Sequence, residues 1–152
     1  NLLGTAGTLL KNKNLLNDSE ILFVHADNYT NFNLEKLVSA HRKRPSKCLM
    51  TMLTFLSENP QSCGIVKTNK EGVVTEFFEK IKNPPCKIAN GAVFVFDKDL
   101  INFILENIPK AFDFSRDVIP HLMNRIYTFH TDQEFIDIGT PQSLKKANQF
   151  HQ

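Results

Sequence analysis

Two aspartates occupy positions from which a carboxylate could do chemistry. Asp27 ends the apolar run ILFVHAD, and Asp137 sits inside EFIDIGTP with Ile136 and Ile138 on either side. The isoleucines predict a buried or half-buried Asp137, and an unpaired carboxylate in such a place costs several kcal/mol. Two carboxylates meeting at strand ends would also repel each other. A hard divalent cation such as Mg²⁺ relieves both problems, because it takes one or two carboxylates together with phosphate oxygens. Each aspartate has a simpler alternative. Asp27 and Asn28 could form a turn or cap the next helix, and Asp137 could accept hydrogen bonds from the Gly139-Thr140 backbone just ahead of a helix.

VVTEFFEK ends on Glu79 and Lys80 directly after another strand-like run. A lysine there is a point charge suited to phosphate, and a glutamate suits sugar hydroxyls; an exposed loop pair is the plainer alternative. NGAVFVF opens with Asn90-Gly91, where an amide can hydrogen-bond a polyol or simply mark a turn before a strand.

These residues depend on a succession of elements. GTAGTLLKNKNLL reads as a turn and a short helix, with Thr5 as its N-cap. ILFVHADN suits a strand buried on both faces. NLEKLVSAHRKR is helical, with Asn33 as N-cap and Pro45 as its stop. CLMTMLTF is the next strand, and CGIVKTNKEGVVTEFFEK a hairpin turning at Lys-Glu-Gly. IANGAVFVFD is a strand and KDLINFILENI a helix. SRDVIPHLMNR is helical only in short pieces, because Pro120 interrupts it. IYTFHT and EFIDI are strands, and PQSLKKANQF is a closing helix with Pro141 in its first turn. Strands alternating with helices around an inserted hairpin predict an α/β layered, mostly parallel sheet with antiparallel additions. In such sheets ligands bind at the carboxyl ends of strands.

The 152 residues, 41% hydrophobic and 22% charged, suit one domain with a sizeable core. A net charge of +2 is too balanced to argue for nucleic acid or an anionic membrane. The basic cluster HRKRPSK at 41–47 reads as a solvated helix end. Cys48, Cys63 and Cys86 lack C-x-x-C spacing and read as reduced thiols of a cytoplasmic protein. No run is long and apolar enough for a bilayer. The chain opens NLLGTAGTLL, without methionine and inside a Gly/Thr/Ala-rich turn, so residues 1–152 are expected to be a single domain that is an N-terminally truncated fragment.

Taken in order, LGTAGTLL, ILFVHADN, CGIV, VVTEFFEK, ANGAVFVFD, FSRDVIPHL and FIDIGTPQSL resemble the sugar-phosphate nucleotidyltransferases over essentially the whole chain. FIDIGTP, and the Glu-Lys pair in register with NGAVFVF, are the most specific parts. The pattern is most similar to short guanylyltransferases acting on mannose 1-phosphate or a manno-heptose 1-phosphate. The resemblance implies a Rossmann-like, GT-A-like mixed sheet lacking its first βαβ portion. It also implies a reaction in which a sugar 1-phosphate and a nucleoside triphosphate, GTP favoured, give a nucleotide sugar and pyrophosphate. Asp27 and Asp137 would then hold Mg²⁺, and Gly4 would approach the base, with Thr5 and Ala6 shaping its loop. Gly64 would meet a sugar hydroxyl, Glu79 and Asn90 would bind the sugar, and Lys80 would bind its phosphate. Nucleic acid and membrane are not implied as partners, and a homo-oligomer is compatible. The family's glycine-rich signature, with its Arg and downstream Pro-Lys, belongs N-terminal to LGTAG, so this chain alone is expected to be inactive. Cys63 replaces the usual tyrosine, Ile81 the usual proline, and His25-Ala26 the more frequent Asn-Gly. Two other functions fit the same pattern: a non-catalytic relative that binds sugar nucleotides, and a nucleotide-sugar-dependent glycosyltransferase, for which Asp27-Asn28-Tyr29 would stand in place of an Asp-x-Asp metal motif.

Overall fold

The structure, a computed structural model, describes residues 2–16 and 20–149. Four α-helices appear in it: α1 (Gly4–Lys11), α2 (Leu34–Arg42), α3 (Lys98–Asn107) and α4 (Pro141–Asn148). The strands are β1 (Ile21–Val24), β2 (Asn28–Thr30), β3 (Met50–Leu56), β4 (Gly64–Thr68), β5 (Val74–Glu79), β6 (Ile88–Phe96), β7 (Ile126–His130) and β8 (Phe135–Asp137). A π turn (Phe114–Val118) and a 3-10 turn (Ile119–Leu122) replace one continuous helix where Pro120 intervenes.

The main sheet runs β5-β4-β6-β3-β7, with β1 also paired to β6. The α/β class, a mixed sheet flanked by helices, is as the sequence predicts. Its balance differs: β3–β7 is parallel, whereas the other strand pairs among the described residues are antiparallel. The reason is β6. It returns antiparallel between β1 and β3, so a strand that alternation alone assigns to a parallel crossover reverses direction.

Both faces of the central strands are covered, which accounts for their unbroken apolar sequence. Side chains alternate: Met50, Met52, Phe94 and Phe96 join α1, α3 and the π turn in one core cluster, while Leu53, Val93 and Val95 join Leu37 of α2 in another. Asn33 caps α2 by accepting from Glu35 N, as predicted. Thr5 does not cap α1; its Oγ1 instead accepts from Phe114 N at 2.7 Å and ties the helix start to the π turn.

The basic cluster is a solvated helix end only in part: Arg42, Lys43 and Lys47 are exposed, but two of its members turn inward. His41 is buried, with Nδ1 3.0 Å from Thr51 Oγ1. Arg42 forks onto Glu20, and Arg44 donates to Asp97, His41 O and Cys48 O. The guanidinium of Arg44 thus satisfies the His41 carbonyl at the end of α2 and ties the helix end to the segment entering β3. The closing helix α4 begins at Pro141 behind a Thr140–Ser143 capping box, and its predicted end at Phe150 lies outside the described residues.

Candidate active site

β1 and β4 lie along the same edge of β6. Val24 is in register with Val93, and Ile65 with Ala89. Between those points, beside Asn90, Gly91 and Ala92, the two strands part. β6 bulges there: β3 advances from Met52 to Thr54 while β6 runs from Phe94 to Asn90. Asn90 Oδ1 accepts from Ala92 N at 2.9 Å, and Ala92 adopts φ 50°, a conformation costly for a residue with a Cβ. Asn90-Gly91 therefore lies within a strand, where it makes the bulge rather than a turn ahead of the strand. The parting opens a cavity of about 210 Å³ whose walls include Asp27, Gly64, Glu79, Lys80, Asn90 and Asp137.

The two aspartates arrive on a separate ribbon. β2 pairs with β8, setting Asn28 opposite Asp137, and Ile138 N donates to Asp27 O at 2.7 Å. The ribbon is fastened over the bulge by Asn28 Nδ2 donating to Gly91 O at 2.9 Å and by Phe135 stacking on Phe55 with centroids 4.3 Å apart. Asp137 is exposed, not buried. Side chains alternate along the three-residue β8, so Ile136 is buried on one face while Asp137, last in the strand and on the other face, opens to the cavity. Asp137 Oδ1 accepts from Gly139 N at 2.8 Å, which is the backbone contact its simpler reading required. The second carboxylate comes near as well: a Cβ built on Gly139 would lie 2.9 Å from Asp137 Oδ1 and 3.8 Å from Asp27 Oδ2. One hydrogen bond leaves most of the acceptor capacity of the pair unused.

Glu79 ends β5 directly across from Gly64. A Cβ on Gly64 would come within 2.8 Å of Glu79 Oε2 and 2.7 Å of the Phe77 ring, so the glycine makes room for the carboxylate to lie over the strand. Burial, and then Asp113, push the Glu79 carboxyl above its ordinary value, against the pull of Lys80, Arg116 and His25. Lys80 turns out of the sheet with φ 50°, its N donating to Cys63 O.

Gly4 and Thr5 line a second, wider cavity of about 640 Å³, which shares His25 and Asp27 with the first. Gly4 adopts φ 68°, and a Cβ there would sit 2.2 Å from Phe112 O, so only glycine fits. Ala6 is fully buried in the core, with its N donating to Phe112 O, and lines neither cavity. It supports the wall rather than forming it.

Asn28, Ser115 and His25 also line the smaller cavity without a substrate-binding role in the sequence reading. Asn28 is the tether to the bulge, which its place beside Asp27 could have suggested. Ser115 lies in FSRDVIPHL, and His25 stands two residues ahead of Asp27. Among the described residues no three His, Cys, Asp or Glu side chains gather around a metal-sized point, so a cation held by Asp27 and Asp137 would need further ligands from substrate or water. No described helix is long and apolar enough to cross a membrane.

The sequence profile described as Nucleotidyl transferase matches residues 1–152, the whole chain. The chain belongs to the nucleotidyl transferase family. Among curated members it is 28% identical over 155 residues to the glucose-1-phosphate adenylyltransferase of Bacillus subtilis, covering 95% of this chain and 41% of that protein. Against the corresponding enzyme of Thermotoga neapolitana the figures are 29% over 156 residues, 95% and 37%. The chain thus spans about two-fifths of the length of these family members. Its fold matches that of a Bacillus anthracis protein assigned as a glucose-1-phosphate thymidylyltransferase (TM-score 0.83, 19% identity, 97% of this chain and 60% of that one). It also matches HddC of Yersinia pseudotuberculosis complexed with GMP-PN (TM-score 0.79, 21% identity, 100% and 64%). As a nucleotidyl transferase, the chain has the α/β architecture that these neighbours share. These two curated relatives are named for adenylyl transfer to glucose 1-phosphate, and so do not bear out the resemblance in sequence pattern to guanylyltransferases in particular.

Proposed function

We propose that the protein forms a nucleotide sugar and pyrophosphate from a sugar 1-phosphate and a nucleoside triphosphate. The observation that carries this reading is the convergence of Asp27 and Asp137 on Gly139 at the rim of a cleft walled by Glu79, Lys80 and Asn90. A phosphate oxygen of the sugar 1-phosphate attacks the α-phosphorus, the bond from that phosphorus to the bridging oxygen breaks, and pyrophosphate leaves. Such a transfer needs positioning and charge neutralisation rather than a covalent enzyme intermediate.

Asp27 and Asp137 fit Mg²⁺, whose bound charge would draw the two phosphates together and offset the developing negative charge. Lys80 faces the sugar phosphate as a point charge. Glu79 and Asn90 hydrogen-bond sugar hydroxyls, and Gly64 leaves space for Glu79 to do so. The wider cavity beside Gly4 and Thr5 takes the base.

For the finer assignment we favour GTP with mannose 1-phosphate or a manno-heptose 1-phosphate, on the strength of the ANGAVFVF pattern and a fold neighbour complexed with GMP-PN. ATP or dTTP with glucose 1-phosphate is the second reading, favoured by the names of the curated relatives and of the other fold neighbour. Pyrophosphate release from the full-length protein, measured for each triphosphate against glucose 1-phosphate, mannose 1-phosphate and the heptose 1-phosphate, separates the two. No release with any pair would overturn the proposal.

A further inference from the structure

His25 lines both cavities, and its Nε2 is buried with no hydrogen-bond partner. Its backbone leaves the ring little choice of position. His25 N donates to Ala92 O at 3.1 Å, on the bulge itself, and His25 O accepts from Asn28 N at 3.4 Å, closing the turn that presents Asp27. The ring stands edge-on to Phe23, centroids 6.1 Å apart, and Phe23 is in turn packed among Phe94, Phe96 and Phe114. The imidazole is thus the last ring of an aromatic stack that ends where the two cavities join.

A buried polar atom left unpaired is costly, and such groups in folded proteins call for an explanation. The other buried unpaired nitrogen among the described residues, His41 Nε2, has one: it stays 4.0 Å from Asp97, in the ion-pair network that holds α2. His25 has no such network. Glu79, Asn90 and His25 all line the smaller cavity; Asn90 Oδ1 already accepts from Ala92 N, whereas His25 Nε2 has its hydrogen-bonding capacity free.

We propose that His25 is a specificity-determining residue whose Nε2 hydrogen-bonds one hydroxyl of the sugar 1-phosphate bound in the smaller cavity. This rests on the function proposed above. A site built to pair a hydroxyl discriminates against analogues that lack it, because its own polar atom is then left unpaired. An apolar ring at this position forfeits that discrimination while keeping the packing against Phe23.

The test uses the full-length protein with Mg²⁺ present, titrated calorimetrically with glucose 1-phosphate, mannose 1-phosphate and their monodeoxy analogues. In His25→Phe, affinity for the preferred sugar phosphate should fall roughly tenfold. One monodeoxy analogue should bind wild type and variant equally, and it identifies the hydroxyl. The thermal midpoint of His25→Phe should match or exceed that of wild type, because an unpaired buried nitrogen has been removed. His25→Gln, which keeps a hydrogen-bonding nitrogen at similar reach, should recover part of the affinity, and it serves as the readout if the phenylalanine variant does not fold. Equal binding of the preferred sugar phosphate by wild type and variants overturns the proposal, as does an identical loss with every deoxy analogue. If wild type binds no sugar phosphate at all, the proposed function falls, and this assignment falls with it.

Discussion

Asn28 and Asp137 are cross-strand partners in the β2–β8 ribbon, and through that pairing Asp27 is held beside Asp137. The backbone bond from Ile138 N to Asp27 O fixes the register. The side chain of Asn28 then fixes the ribbon to Gly91, so both carboxylates are referenced to the bulge in β6. Asp27→Ala and Asp137→Ala should each lower turnover of the full-length protein by on the order of a hundredfold, comparable to losing a strong electrostatic stabiliser. Asp137→Asn is the sharper variant. It can still accept from Gly139 N but lacks the charge, so unchanged turnover and Mg²⁺ dependence would show that Asp137 only shapes the turn.

Gly139 leaves room for both carboxylates by having no side chain. Gly139→Ala places a methyl 2.9 Å from Asp137 Oδ1, so the carboxylate must move. Turnover should fall roughly tenfold or more, as small misplacements of reacting groups do. The thermal midpoint should change little, because the position is exposed. Kinetics and thermal melts on the one variant check both.

Lys80 is held at φ 50° immediately after Glu79. Lys80→Ala should raise KM for the sugar 1-phosphate and lower kcat, while triphosphate affinity stays near wild type, because a point charge on the sugar phosphate acts in both ground and transition states. Separate measurement of triphosphate binding and sugar-phosphate kinetics tests this. A loss confined to triphosphate affinity would mean that the two halves of the cleft are assigned the wrong way round.

The Glu79 carboxyl is raised chiefly by burial. The folded protein therefore binds this proton more tightly than the unfolded chain does, and stability falls as pH rises from the ordinary glutamate range through the raised value. Glu79→Gln should remove that decline, so the two melting curves should diverge in the variant's favour as pH rises. Parallel curves across the range would show that Glu79 is not desolvated in solution.

His41 carries the opposite sign. Burial, followed by the neighbouring Arg44, lowers it from 6.5 to about 4. The unfolded chain takes up the proton first, so stability is complete above 6.5 and is lost as pH falls from there toward about 4. Melts of His41→Gln should be flatter than wild type over that interval.

The sequence by itself determined the order of elements and most of the chemistry-bearing residues, because both are local. Apolar runs, caps at Asn33 and Thr140, and the break at Pro120 act within a few residues of themselves. Asp27, Glu79 and Lys80 could be singled out as strand-end groups for the same reason. What those residues meet was decided only by tertiary structure. The direction of β6 is set by non-local pairing with β1 and β3, and the sheet is therefore more antiparallel than alternation implies. Asp137 looked buried between two isoleucines, yet strand alternation sets it on the face opposite Ile136, at the end of a three-residue strand, where it is exposed. Gly64 and Gly4 read as backbone approaches to ligand. The close contacts that require glycine at these positions are Glu79 with Phe77 at Gly64 and Phe112 at Gly4, which lie far away in sequence. His25 gains its place from both sources: Phe23 and the turn into Asp27 are its immediate neighbours, but the bulge at Ala92, which its backbone N meets, comes from a strand far along the chain.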